Sequence, residues 1–201
     1  MTPAASPAPC GRLLRRGLIL EYLTLSWNVV GVVVLAFAAV ASASVALVGF
    51  GVDSLIEIVA STVVIWELRG EEGSQRERLA LRIIAVAFAL LAVYIAIQAS
   101  VTLAGHSRPH RSVLGIVWLA VTVVAMWTLA HGKRVTGGRL NNRVLLTEAR
   151  VTVVDGGLAA AVLIGVALNA ALGWWWADPI SSLVILFYAV SEARHAWTDA
   201  G

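Results

Sequence analysis

The hydrophobic positions of this chain form six long apolar runs, separated by short polar or charged segments. We place the runs at 18–41, 44–68, 79–103, 112–131, 144–171 and 174–196. Each run is long enough for an α-helix to cross the hydrocarbon core of a bilayer, which is about 30 Å thick. The pattern therefore predicts an all-α, polytopic membrane protein with six transmembrane helices.

The composition agrees with this prediction, because 59% of the residues are hydrophobic and only 13% are charged. Soluble domains carry about 25% charged residues. We expect residues 1–17, which are rich in Pro and Ala, to be a disordered cytoplasmic tail. Residues 18–197 would form one transmembrane transporter domain, and residues 198–201 a short tail. The first apolar run is too long for a secretory signal and is followed at once by another.

Basic residues lie mainly on one side of the predicted membrane, and cytoplasmic loops are the ones that retain Lys and Arg. Both termini are therefore expected in the cytoplasm, with the protein in the cell membrane. The net charge of +3 comes from these basic residues, which anchor the loops at the membrane surface, so we expect no nucleic-acid partner. The residues on this side are Arg12, Arg15, Arg16, Arg69, Arg76, Arg78, Lys133, Arg134, Arg139, Arg143 and Arg194, against Arg108 and Arg111 on the other.

Acidic residues inside the apolar runs are the candidates for chemistry. Asp53 and Glu57 stand at i and i+4 in the second run, so they share one helix face. The fifth run holds Glu148 and Asp155. Ionisable groups at this depth are costly and usually functional. Because neighbouring carboxylates repel each other, a metal ion or a proton is expected between them, and metal entry would expel the proton.

These four acids are our candidate metal ligands, because carboxylate oxygens suit Zn²⁺, Mn²⁺ and Mg²⁺. The cation would be transported cargo and not a permanent cofactor. Glu148 has an open alternative, which is an ion pair with Arg150 or Arg143. Glu21 is expected to be an interfacial acid and Asn28 to form a hydrogen bond between helices. Other polar residues have structural or solvated interpretations: Asp178 as a helix N-cap before Pro179, and His106 and His110 in an exposed loop.

Three stretches resemble the cation diffusion facilitator (cation efflux) family. The second helix of that family carries a [His/Asp]-x-x-x-Asp pair, matched here by Asp53 and Glu57 between Asn28 and Ser61. Its fifth helix carries His-x-x-x-Asp, and the matching positions are Val151 and Asp155. The stretch Gly173-Trp-Trp-Trp-Ala-Asp178-Pro179 is similar to its Trp-x-x-Asp-Pro signature. The resemblance covers about residues 18–197.

The departures from the family make this chain look like a short, divergent member. Val151 cannot bind a metal, and neither the histidine-rich loop nor the cytoplasmic C-terminal domain of the family is found. The resemblance implies a proton-coupled antiporter that exports a divalent cation, most readily Zn²⁺ with Mn²⁺ or Fe²⁺ as alternatives, and that forms a homodimer. Its ligands would be Asp53, Glu57 and Asp155, with Glu148 in place of the missing one.

Two other functions stay open at this point. A proton-coupled exporter of organic cations would also use buried acids, and a membrane metal sensor or scaffold would bind without transport. We expect no enzymatic activity, because no nucleophile is paired with a histidine inside the predicted helices.

Overall fold

Six helices follow one another in the computed structural model, which describes residues 7–69, 74–105 and 109–199. Their order matches the order of the six apolar runs, and the described residues contain no strand. The all-α prediction is confirmed. The helices are α1 (Pro7–Ser42), α2 (Val45–Arg69), α3 (Ser74–Gly105), α4 (Val113–Leu140), α5 (Arg143–Leu172) and α6 (Ala177–Asp199).

Five of these helices, α1 to α5, are long and apolar enough to cross a membrane. The sixth is 23 residues long and less apolar, since Asp178, Glu192 and Arg194 lie near its ends. Its middle nevertheless exposes large apolar side chains, of which Phe187 is 78% exposed. Exposed aliphatic side chains along the other helices suit contact with lipid. The chain is thus built as a multi-pass membrane protein with five or six spans.

The first helix begins at Pro7, where the sequence predicted a disordered tail over residues 1–17. Proline is well tolerated in the first turn of a helix, and the leucines and arginines that follow are good helix formers. Arg12, Arg15 and Arg16 are exposed on this extension. Residues 1–6 and 200–201 lie outside the described part of the chain, and α6 continues to Asp199.

The fourth helix is longer than predicted, because 132–140 was expected to be loop and is helical. Only Asn141 and Asn142 connect α4 to α5. Asn141 takes the left-handed conformation with φ 50°, and the side chain of Asn142 accepts a hydrogen bond of 2.8 Å from the Leu145 N–H. Gly137 lies against the backbone of Leu146, so the absence of a side chain at this position allows α4 and α5 to approach closely.

The two ends of the bundle differ in charge. We call the end that holds Arg12, Arg15, Arg16, Arg134 and Arg139 the basic end, where the α4–α5 turn also lies. The opposite end holds the α1–α2 turn at Ala43 and the α5–α6 connection at Gly173. The apolar core occupies mainly the opposite half, around Leu47, Phe50 and Ile185. Apart from Asp178, the buried charged residues lie in the middle of the bundle or towards its basic end.

Candidate functional site

Apart from Asp178 at the opposite end, five carboxylic side chains and one lysine are buried among the described residues of the bundle, each no more than 5% exposed. They come from four helices, so the fold gathers polar groups that are far apart in the sequence. Buried ions in a membrane protein face partners, water or a transported ion, and they mark functional regions by default. The residues are Glu21 of α1, Asp53 and Glu57 of α2, Lys133 of α4, and Glu148 and Asp155 of α5.

Asp53 and Asp155 face each other between α2 and α5. Their carboxyl groups are close enough to share a hydrogen bond. Among the described residues, no donor hydrogen-bonds to any of their four oxygen atoms. A carboxylate has no donor of its own, so a bond between the two requires a proton on one of them. The acids that the sequence led us to expect together are therefore adjacent, and a proton or a cation must separate their charges.

Glu57 lies one helical turn from Asp53 towards the basic end and is 2% exposed. It is within electrostatic range of Asp53, Asp155, Glu148 and Lys133. In this conformation the described residues contain no group of three or more His, Cys, Asp or Glu side chains arranged to hold a metal ion. The four predicted ligands therefore share one polar region, without forming a closed coordination shell.

Lys133 is fully buried in this region, although the sequence predicted it in a cytoplasmic loop. Its ammonium nitrogen Nζ donates hydrogen bonds to Glu21 Oε2, Glu148 Oε1 and Thr152 Oγ1, each at 3.1 Å. An ammonium group has three N–H donors, so all of them are used. We call these four residues the lysine cluster; it joins α1, α4 and α5 two turns inside the basic end.

A signal for Lys133 was present in the sequence. The buried positions of α4 recur at intervals of three or four residues, and position 133 continues that series. The adjacent Gly132 and Arg134 gave the stretch the composition of a loop, which hid the periodicity. The series runs Gly115, Leu119, Thr122, Met126, Ala130, Lys133 and Gly137.

The lysine cluster changes the interpretation of two acids. Glu21, expected at the membrane interface, is 0% exposed and forms an ion pair with Lys133. Glu148 also pairs with Lys133, whereas the sequence suggested Arg150 or Arg143 as its basic partner. Arg150 is exposed, and the side chain of Arg143 lies outside the described part. Glu148 is thus held by an internal cation in this conformation.

Further polar groups are buried in the bundle, and one of them lies near the acids. Tyr188 of α6 is within electrostatic range of Asp53, Asp155 and Glu57, and it contacts Phe88 edge-on with 5.7 Å between ring centroids. Tyr188 OH, Asn28 Nδ2 and Ser61 Oγ have no hydrogen-bond partner among the described residues. The bond between helices expected from the amide of Asn28 is therefore not formed by its nitrogen.

The opposite end is closed by hydrogen bonds. Asp178 is not a cap for α6: its carboxylate accepts hydrogen bonds from the Ser44 hydroxyl and, at 3.3 Å, from the Ala46 N–H at the start of α2. Asn169 Nδ2 donates to the Pro109 carbonyl at 2.9 Å. His110 is exposed, and His106 lies outside the described residues.

The chain matches no protein-family model, and no curated protein matches it. Its function must therefore be argued from the residues of the buried polar region and their chemistry.

Proposed function

We propose that this protein carries a divalent metal cation, most readily Zn²⁺, across the membrane in exchange for protons. The observation that supports this proposal is the Asp53–Asp155 pair, which is buried, mutually facing and without donors among the described residues. An ionised carboxylate in such a place costs several kcal/mol unless a positive species compensates it. A cation and a proton are the two species that can do so alternately.

The charges of the buried polar region support the same proposal. The buried polar region holds five carboxylic groups and a single ammonium group, so up to four negative charges need a compensating positive charge. One divalent cation and two protons would neutralise them. Metal binding to carboxylates displaces protons, because the ligands must be ionised to bind. Alternate occupation by metal and protons is the simplest way to couple the two flows in opposite directions.

Asp53 and Asp155 would be the first ligands, and Glu57 would join them after a change of its side-chain conformation. Zn²⁺ accepts carboxylate ligands, and carboxylates and water also suit the harder Mn²⁺. Glu148 stays with Lys133 in the conformation described and would be a ligand only after leaving it. The resemblance to the cation efflux family favours export, six membrane spans and a homodimer formed through the membrane helices. The basic end would then face the cytoplasm.

The groove between α2 and α3 does not favour an organic cation. A groove of about 400 Å³ lies between α2 and α3, bordered by Val52, Leu55, Ile56, Val59, Leu90, Leu91 and Tyr94. None of these side chains is charged, so the groove offers no carboxylate to a bulky cation, and its aliphatic lining suits lipid instead.

The test is Zn²⁺ uptake into proteoliposomes by the parent protein, Asp53→Ala and Asp155→Ala. We expect each substitution to lower the flux by about tenfold to a hundredfold, because each removes a ligand. Glu192→Gln is the matched control, since it neutralises a partly exposed acid of α6 and should leave the flux unchanged. Equal fluxes in all four proteins would exclude the proposed site.

The same vesicles test the coupling to protons. An imposed pH gradient should drive Zn²⁺ in the direction opposite to the proton flow. In vesicles with the parent protein, the lumen should become more alkaline when Zn²⁺ enters and more acidic when Zn²⁺ leaves. Mn²⁺, Mg²⁺ and a quaternary organic cation serve as competing cargoes. Zn²⁺ transport that does not depend on the pH gradient would contradict the exchange mechanism. Flux of the organic cation without flux of any metal would favour an exporter of organic cations.

A further inference from the structure

The lysine cluster has the composition of a cation site that the chain fills with its own side chain. Three oxygen atoms surround Lys133 Nζ at 3.1 Å, two from carboxylates and one from Thr152. The second oxygen of Glu21, Oε1, is buried with no hydrogen-bond partner among the described residues. The cluster thus has an acceptor left over, besides the three that hold the ammonium group.

This site is continuous with the proposed cargo site. Lys133 is within electrostatic range of Glu57 and Asp155, and Glu148 is within range of Glu57. Glu148 therefore stands between the two sites, bound to the ammonium on one side and able to attract a cation near Glu57 on the other. Two cations this close repel each other, so their occupancies are linked.

We propose that Lys133 is a tethered cation that competes with the transported cation for Glu148. The inference rests on the proposed function and names a residue that sets how tightly the cargo is held. While the ammonium group binds Glu148, the cargo is restricted to Asp53, Asp155 and Glu57. After the cargo has entered from the basic end, the ammonium group of Lys133 can bind Glu148 again. This takes Glu148 away from the cargo and brings a second positive charge close to it, and both effects promote release of the cargo.

Competition predicts the opposite result to a purely structural role. If Lys133 only stabilises the bundle, its loss weakens cargo binding together with the fold. If it competes, its loss frees Glu148 and removes a positive charge, so cargo binds more tightly and leaves more slowly. The sign of the change in affinity therefore separates the two roles.

The experiment measures Zn²⁺ binding by calorimetry in detergent and Zn²⁺ transport in proteoliposomes. For Lys133→Met we expect the Kd to fall by about tenfold or more, with lower KM and lower kcat for transport. The control Lys133→Arg keeps the charge and should stay within about threefold of the parent Kd. Glu21→Gln/Lys133→Met removes one charge of each sign and also frees Glu148. It should bind more tightly as well, and it replaces Lys133→Met if that variant does not fold.

Two results would overturn the proposal. One is an unchanged or weaker Zn²⁺ affinity in a folded neutral variant, and the other is an equal gain in affinity for Lys133→Arg. Failure of the proposed function has a different signature: the parent itself would neither bind nor transport Zn²⁺. A parent that transports Zn²⁺ with no gain in affinity on loss of Lys133 leaves the function standing and rejects the competition.

Discussion

Asp178 and Asp53 are both buried aspartates, yet their surroundings assign them different roles. Asp178 accepts hydrogen bonds from the Ser44 hydroxyl and the Ala46 N–H, while Ser44 Oγ accepts one of 3.1 Å from the Leu47 N–H. A negative charge at the start of α2 also suits the positive end of the helix dipole. The carboxylate of Asp178 is hydrogen-bonded within the fold, whereas neither oxygen of Asp53 has a hydrogen-bond partner among the described residues.

We expect Asp178→Ala to destabilise the protein by about 1–3 kcal/mol, because it leaves the Ser44 hydroxyl and the Ala46 N–H without an acceptor. The measurement is the Tm of the purified protein in detergent without added metal. Asp53→Ala is the matched comparison and should leave the Tm unchanged or raise it, since no donor loses a partner. An equal fall in Tm for both variants would contradict this assignment.

Helix packing depends on close approaches at a few small residues. Gly165 of α5 meets α6 so closely that an added Cβ would lie 2.8 Å from the Ala177 carbonyl oxygen and would overlap the Ser181 side chain. Gly156 lies against Trp127, whereas its neighbour Gly157 has nothing within 4 Å of an added Cβ. Small residues allow such contacts between membrane helices.

These contrasts give a paired prediction for α5. Gly165→Ala should destabilise the protein by about 1–3 kcal/mol, because a backbone atom cannot move aside as a flexible side chain can. Gly157→Ala should be neutral or slightly stabilising, because alanine is the better helix former. Comparing the two Tm values in detergent tests the α5–α6 contact, and a larger loss for Gly157→Ala would refute it.

For the molecule as a whole, charge and aromatic residues distinguish the two ends. Exposed arginines mark the basic end, and the stacked pair Trp174 and Trp176, with ring centroids 5.2 Å apart, lies at the opposite end. Tryptophan is enriched where a bilayer meets water, and Lys and Arg are enriched on the cytoplasmic side. The basic residues remain unequally distributed between the two ends even though Lys133 is buried in a helix and does not lie in a loop.

This arrangement predicts the membrane orientation. In a Cys10→Ser background, His110→Cys should react with a membrane-impermeant thiol reagent added outside intact cells, because His110 is exposed at the end of the bundle opposite the basic end. Thr198→Cys, exposed near the end of α6, should react only after the cells are opened. The reverse pattern would invert the proposed topology, and labelling of both from outside would mean that α6 does not span.

The candidate site was only partly predictable from its residues. The depth of Asp53, Glu57 and Asp155 followed from their places within apolar runs, and the proximity of Asp53 and Asp155 agrees with that expectation. The surroundings of Glu148 and Glu21 did not follow. Glu148 has other basic residues close to it in the sequence, and Glu21 was expected at the membrane interface. The partner of both, Lys133, is on a helix whose end was placed too early.

The sequence by itself determined the helical class, the order of the six helices and the burial of acids among them, because these depend on the local run and period of apolar residues. Only the tertiary structure decided that Lys133 binds Glu21, which lies 112 positions away, and that Asp178 reaches the start of α2. Such pairings depend on the axial register and rotation of one helix against another, and no local pattern specifies either.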